Sequence, residues 1–170
     1  EVDHETAERL HVNNFRRIIR ALEVYKYNKD TISQTKKISN DNELLYNAVV
    51  IGLNRDRADL YQRIDKRVDQ MIAAGWLQEV ENLLCSGVER SMQPMQAIGY
   101  KLLASYLNGE ISLEYAVEQI KTSTRHFAKR QLTWYRKMPY IKWFQADKLS
   151  PDELLTAVYN MILTIHISML

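Results

Sequence analysis

The chain has 170 residues, which is one domain of ordinary size or a piece of something larger, and enough to bury a core. Its 46% hydrophobic and 26% charged residues are those of a soluble globular protein, and five Gly with three Pro leave room for few tight turns, so helix is expected to dominate. A net charge of +2 says little as a sum, but the single cysteine, Cys85, excludes an internal disulfide, and His4, His11, His126 and His166 lack metal-ligand spacing, which argues against structural zinc and for a reduced, cytoplasmic protein.

The chain begins at Glu1 rather than Met, as a processed chain or a fragment would. Residues 8–28, "ERLHVNNFRRIIRALEVYKYN", predict a helix entered through the Asn13-Asn14 pair, with Phe15, Ile18, Ile19, Leu22 and Val24 at helical intervals. Arg16, Arg17 and Arg20 crowd its first turns and oppose the positive end of the helix dipole, a placement that suits a bound anion. The polar stretch 29–43 reads as a linker and as a boundary between subdomains. "LYNAVVIGL", 45–53, is expected to be a buried strand ended by Gly52. The period then changes: in 56–75, Leu60, Ile64, Val68 and Met71 share a helical stripe, with Asp56 able to cap and Gly75 to terminate. A short amphipathic helix over 76–86 follows, then an irregular connection carrying Gly87, Pro94 and Gly99, and a helix up to Asn108-Gly109. Ser112 starts the longest helix, expected to run to about Met138 where Pro139 stops it. "YIKWF", 140–144, alternates as a strand, and "SPDELLTAVYNMIL" is an amphipathic helix with Pro at its first position. The tail "MILTIHISML" is about half the length a bilayer span requires. Two strands so far apart in sequence cannot by themselves form a sheet with covered faces, so neighbouring strands are expected to be missing.

Between Glu118 and Asp147 there is no carboxylate, while Lys121, Arg125, Lys129, Arg130, Arg136, Lys137 and Lys142 all occur. On a helix, Lys121, Arg125, Lys129 and Arg136 fall within about 80° of one another, and Ile120, Phe127, Gln131, Trp134 and Met138 lie opposite. The expectation is a core-facing aromatic side and an outward cationic stripe fit for a polyanion. In "RADLYQRIDKR", Arg63 and Arg67 are four apart at one edge of the apolar stripe, with Arg57 pointing into it. Two readings stand for these arginines: salt bridges to Asp56, Asp59 or Asp65, or a guanidinium fork around a phosphate or diphosphate. In "QAIGYK", 96–101, Gly99 permits close approach and Tyr100 can stack on a base or fill the core.

The stretches "NNFRRIIRALEVY" (13–25), "RADLYQRIDKRVDQM" (57–71), "GWLQEV" (75–80), "MQAIGYK" (95–101), "TRHFAKRQLTWYRK" (124–137) and "WF" (143–144) resemble, in order and spacing, the C-terminal half of the tRNA dimethylallyltransferase family, also called isopentenyl-tRNA transferases. The resemblance implies an α/β fold with a P-loop nucleotide-kinase-like core, represented here mostly by its C-terminal helical part with one or two strands. Residues 1–43 would be the end of the inserted anticodon-arm-binding region and its linker, and 44–170 part of the catalytic core. It implies transfer of a dimethylallyl group from dimethylallyl diphosphate to the exocyclic amine of the adenine 3′ of the tRNA anticodon, assisted by Mg2+, by a cytoplasmic protein that is monomeric when complete. Arg63, with Arg67 and Arg57, would hold diphosphate. Arg16, Arg17, Arg20, Gln96, Gly99, Tyr100, Lys101, Lys129, Arg130, Gln131, Thr133, Trp134 and Arg136 would contact tRNA. Such residues suit the chemistry: a base in a stem-loop must be splayed out and stacked, and a departing diphosphate builds negative charge that arginines stabilise.

No GxxxxGK pattern occurs, and the family's phosphate loop and general base, near its N-terminus, are not in these residues. The expectation is therefore a fragment, inactive by itself, with no catalytic residue or metal ligand of its own. The rival readings are a non-catalytic helical RNA-binding module and, beyond it, a helical domain with an acidic protein partner. The transferase reading further expects Arg63 and the ridge 129–136 to converge on one cleft.

Overall fold

The structure, a computed structural model, describes residues 2–34 and 48–167, with side chains described up to residue 165. It divides into two compact units, Glu1–Ala48 and Val49–Leu170.

In the first unit the helix expected after the Asn13-Asn14 pair is α2 (Phe15–Asn28), with Asn14 at its N-cap position; a short unpredicted helix, α1 (His4–Arg9), precedes it, and Leu10 is extended between them. The signal overlooked in the sequence is Asp3, whose Oδ1 accepts the Thr6 N–H at 3.0 Å as an N-cap. Asp3 also accepts from the backbone N–H and the hydroxyl of Ser33, thirty residues on, tying the start of the chain to the segment after α2. Burial pushes the Asp3 carboxyl up, but the hydrogen bonds from Ser33 and Thr6 outweigh it and hold the group well below the usual carboxylate range. Phe15, Ile19 and Leu22 of α2 are exposed, while Ile18, Ala21 and Val24 are half-buried. The expected linker lies outside the described residues from residue 35 onward.

In the second unit, strands β1 (Val50–Asn54) and β2 (Ile141–Gln145) pair in parallel, Val50 opposite Ile141 and Asn54 opposite Gln145. Of the expected strand, residues 45–47 lie outside the described residues, and Gly52 sits within β1 rather than ending it. It cannot carry a side chain there, because a Cβ would stand 2.6 Å from Cε3 of Trp143, its partner across the ladder. Nor is β1 fully buried: Leu53 is exposed and the rest half-buried.

Between the strands runs a helical crossover of α3 (Arg57–Ala73), α4 (Trp76–Cys85), a 3-10 turn (Gln93–Gln96), α5 (Tyr100–Leu107) and α6 (Leu113–Tyr135). Asp56 caps α3 by accepting from the N–H of Ala58 and Asp59, and Ser112 caps α6 by accepting from that of Tyr115. Helix α6 ends three residues before the predicted Met138. Pro139 would clash with the Tyr135 carbonyl in a continued helix and pushes the preceding residue out of the helical region. Helix α7 (Pro151–Ile167) opens with a capping box: Glu153 accepts the Ser150 N–H at 2.8 Å and Ser150 Oγ the Glu153 N–H at 3.3 Å.

The core is where these elements meet: Val68 of α3, Trp76 and Val80 of α4, Met95 of the 3-10 turn, Leu103 and Ala104 of α5, and Ile120 of α6. The apolar residues of α6 that reach it, Ile120 in the cluster with Leu113 and Val117 packed against it, all belong to its first half. Phe127 and Trp134, expected to face the core, are 44% and 59% exposed. The apolar stripe outruns its cover, because helical period locates a stripe but not the length over which neighbours cover it.

Candidate functional site

Helices α3 and α6 face each other along rows of residues spaced by four. On α3 the row is Arg57, Tyr61, Asp65, Asp69; on α6 it is Lys121, Arg125, Lys129, Thr133. Asp69 accepts from Lys121 Nζ at 2.8 Å, and both carboxylate oxygens of Asp65 accept from Arg125 Nη1 at 2.7 Å. The Lys121 ammonium is pushed up by its hydrogen bond to Asp69 and is only 13% exposed. The cationic stripe therefore does not face outward along its whole length, as expected; its first two members are consumed by the neighbouring helix.

One step further along, the acidic residues of α3 give way to Tyr61 and Arg57. There the helices open onto a cavity of about 450 Å³ lined by Arg57, Tyr61, Lys129, Thr133 and Arg136. Asn54 and Gln145, the last residues of the two parallel strands, form another wall with Arg55, Asp147 and Lys148. Crevices at the carboxyl ends of parallel strands are where open α/β sheets bind ligands. Five basic and two acidic side chains line the cavity. One acid, Asp56, is occupied with the cap of α3, the hydrogen bond from Ala58 N–H holding it below the usual carboxylate range. One base, Arg55, is paired with Asp59 at 3.0 Å. Arg57 donates through Nε to the Tyr61 hydroxyl at 3.0 Å and lies over its ring. Lys129, Arg136 and Lys148 have no ion pair among the described residues. Unneutralised cations around a solvent-filled cavity favour an anion there.

The remaining expected residues are distributed as follows. Arg63 and Arg67 follow Tyr61 and Asp65 by two positions, hence about 200° round α3, and line a separate groove with Lys66 and Gln70. The expected convergence of Arg63 with the 129–136 ridge is not present; Arg57 is the arginine of α3 that meets it. The salt-bridge reading of Arg57, Arg63 and Arg67 fails as well, since Asp56, Asp59 and Asp65 are engaged elsewhere and all three arginines are exposed. On α6, Arg130 is exposed beside Phe127, and Trp134 meets Tyr135 edge-on at 4.8 Å. Gln131 lines an adjoining, more apolar cavity along the sheet, and Thr133 Oγ1 donates to the Lys129 carbonyl at 2.9 Å.

Gln96 is held on its loop, its Nε2 donating to the Arg90 carbonyl at 2.6 Å. Arg90 is clasped in turn by Glu110, at 2.6 and 3.0 Å. Gly99 is buried: a Cβ would stand 1.9 Å from Cη2 of Trp76. What its missing side chain provides is therefore room for the indole, not an approach for a ligand from that side. Tyr100 packs edge-on against Trp76 and donates its hydroxyl to Glu79 at 2.6 Å, the bond that pushes the phenol up. Lys101 is exposed. In the first unit, Arg16, Arg17 and Arg20 are exposed near the start of α2, whose first turn holds no acidic residue, and Arg20 pairs with Glu23 at 3.3 Å. Sequence reasoning missed Tyr61 and Lys148. Tyr61 had a signal, its position four residues before Asp65, but Lys148 lies in a loop with no periodicity to mark it.

Among the described residues no three His, Cys, Asp or Glu side chains converge as metal ligands. Nor is any described helix long and apolar enough to cross a membrane.

A family model described as IPP transferase matches residues 1–138. The chain belongs to this family. It is 46% identical over 153 residues to the tRNA dimethylallyltransferase of Acetivibrio thermocellus, covering 90% of this chain and 49% of that protein. With that of Caldanaerobacter subterraneus subsp. tengcongensis it shares 50% identity over 149 residues, 86% of this chain and 47% of the relative. The chain thus spans about half the length of the curated relatives it matches. Among solved structures, the tRNA isopentenylpyrophosphate transferase of Staphylococcus epidermidis superposes with a TM-score of 0.69 at 39% identity, over 96% of this chain and 53% of that one. A eukaryotic dimethylallyltransferase described as acting on tRNA gives 0.76 at 28% identity, over 95% and 44%.

Proposed function

We propose that the complete protein transfers a dimethylallyl group from dimethylallyl diphosphate to the exocyclic amine of the adenine 3′ of the tRNA anticodon. The observation that carries this reading is the cationic cavity of Arg57, Lys129, Arg136 and Lys148 at the carboxyl ends of two parallel strands, in a member of the IPP transferase family. In this reading the second unit is part of a nucleotide-kinase-like core. The protein works in the cytoplasm as a monomer, and magnesium accompanies the diphosphate, with no ligand assigned in this chain.

The chain's own residues bind and orient. Lys129, Arg130, Gln131, Thr133, Trp134 and Arg136, Gln96 of the 3-10 turn with Tyr100 and Lys101 at the start of α5, and Arg16, Arg17 and Arg20 of the first unit hold the anticodon arm. Fixed cations grip its phosphates, and exposed rings offer a splayed base a surface to stack on. Arg63 and Arg67, assigned to the diphosphate, act from the neighbouring groove, and Arg57 acts from the cavity. As the allylic C–O bond breaks, charge accumulates on the leaving diphosphate. Guanidinium groups without a carboxylate partner stabilise that charge more than they stabilise the bound substrate.

The test is to incubate the complete protein with dimethylallyl diphosphate and an anticodon stem-loop carrying adenine at that position, and to read the RNA by mass spectrometry. Addition of one dimethylallyl group, lost when that adenine is replaced by guanine, is the expected result. Binding without transfer would instead favour a non-catalytic RNA-binding module.

A further inference from the structure

We infer that Asp65 and Asp69 are positioning residues for RNA: they set the rotation and register of α6 so that Lys129 and Arg136 face Arg57 and Tyr61 across the cavity. The inference rests on the proposed tRNA-binding function and adds two residues that contact no substrate.

Spacing by four on both helices lets antiparallel neighbours meet at successive steps: Asp69 with Lys121 and Asp65 with Arg125, after which Tyr61, Arg57, Lys129 and Thr133 line the cavity together. The first two steps are ion pairs and the next two are the cavity. Turning α6 by one residue would rotate Lys129 by about 100° and remove it from the cavity wall. The fully buried apolar residues of α6, Ala116 and Ile120, lie in its first half, whereas Ala128 and Leu132 of the second half are only half-buried. Beyond Ile120 the ion pairs between the two helices, among the described residues, are those of Lys121 and Arg125. Arg125 is held especially well, because Nη1 meets both oxygens of Asp65 while Nη2 donates to Thr122 Oγ1 at 2.9 Å on its own helix. The same pairs keep Lys121 and Arg125 from competing for RNA phosphates, so the basic surface of α6 begins at Lys129.

The test uses the complete protein and compares wild type, Asp65→Asn and the exchanged pair Asp65→Arg with Arg125→Asp. Stem-loop affinity is measured across salt concentrations, with KM and kcat for transfer and the thermal midpoint. For Asp65→Asn, affinity is expected to fall about tenfold, the scale of one misplaced cation, and the slope of log K against log salt to shrink by roughly one phosphate's worth. KM for RNA rises while kcat at saturating RNA holds, and the exchanged pair recovers affinity and slope. If Asp65→Asn fails to fold, the exchanged pair decides alone.

An exchanged pair with the wild-type midpoint but weakened RNA binding reduces the ladder to a brace and overturns the inference. So does an Asp65→Asn protein with unchanged affinity, or one that binds more tightly with a steeper slope, since Arg125 would then be reaching phosphate. A wild-type protein that does not bind the stem-loop even at low salt overturns the transferase reading itself, an outcome distinct from any of these.

Discussion

Lys121 and Lys129 lie eight residues apart on α6, yet the first is 13% exposed and bonded to Asp69, whereas the second opens onto the cavity without an ion pair among the described residues. The difference is not in α6 but in what α3 sets against it: Asp69 and Asp65 at one end, Tyr61 and Arg57 at the other. The apolar side follows the same division. Ala116 and Ile120 are buried, Ile120 in the core formed with α3, α4 and α5, while Phe127 and Trp134 lie beyond it and stay exposed. One helix therefore serves as a structural element in its first half and as a binding surface in its second. What a cation on a helix does is decided by its neighbour, and only secondarily by its own helical environment.

Substitutions in the two halves should separate this contrast. Ile120→Ala, in the first half, removes a side chain 1% exposed, and should cost about 2–5 kcal/mol of stability in denaturant unfolding. Trp134→Ala, in the second half, should change stability by no more than about 0.5 kcal/mol while weakening stem-loop binding. A large loss of stability from Trp134→Ala would erase the distinction. Gly99→Ala forces a methyl into the Trp76 ring and should cost about 1–3 kcal/mol, with near-ultraviolet circular dichroism reporting the displaced indole. Ser112→Ala removes the cap that anchors the buried half and should cost about 1 kcal/mol. The smallest effect concerns the clasp of the Gln96 loop. Hydrogen bonds from Arg90, then Ser105 and Asn108, hold the Glu110 carboxyl down at about 2, against an ordinary 4.5. A depressed carboxylate stabilises the fold above its ordinary value and loses that contribution as pH falls toward its folded value. The clasp should therefore loosen between about pH 4.5 and pH 2, and a carboxyl titration followed by NMR, with Glu110→Gln as reference, measures it.

Most of the second unit was legible as a string of elements. The stripe from Leu60 to Met71, the caps at Asp56 and Ser112, and the stop before Pro139 are local signals, and each element appears within a few residues of its expected place. What failed depended on contacts distant in sequence. The outward cationic stripe was a correct reading of helical angle, but no angle reveals that Asp65, sixty residues away, reaches Arg125. Gly52 looked like a strand end because glycine usually punctuates, and it proved to be a strand interior because Trp143 lies over it. The candidate site was legible as a set of basic residues but not as a grouping. Arg57, Arg63 and Arg67 look alike in the sequence, and only the direction in which α3 presents them puts Arg57 in the cavity with Lys129 and Arg136.

The sequence by itself determined where helices and strands begin, that positive charge concentrates between Lys121 and Lys142, and, through its ordered motifs, the family. Those properties are carried by neighbours in the chain, where propensity, capping and residue order act. Which cations are neutralised, which aromatic rings are covered and which arginine meets the ridge of α6 were decided only by tertiary structure. Burial and ion pairing are relations between segments tens of residues apart, fixed when α3 and α6 pack and not before.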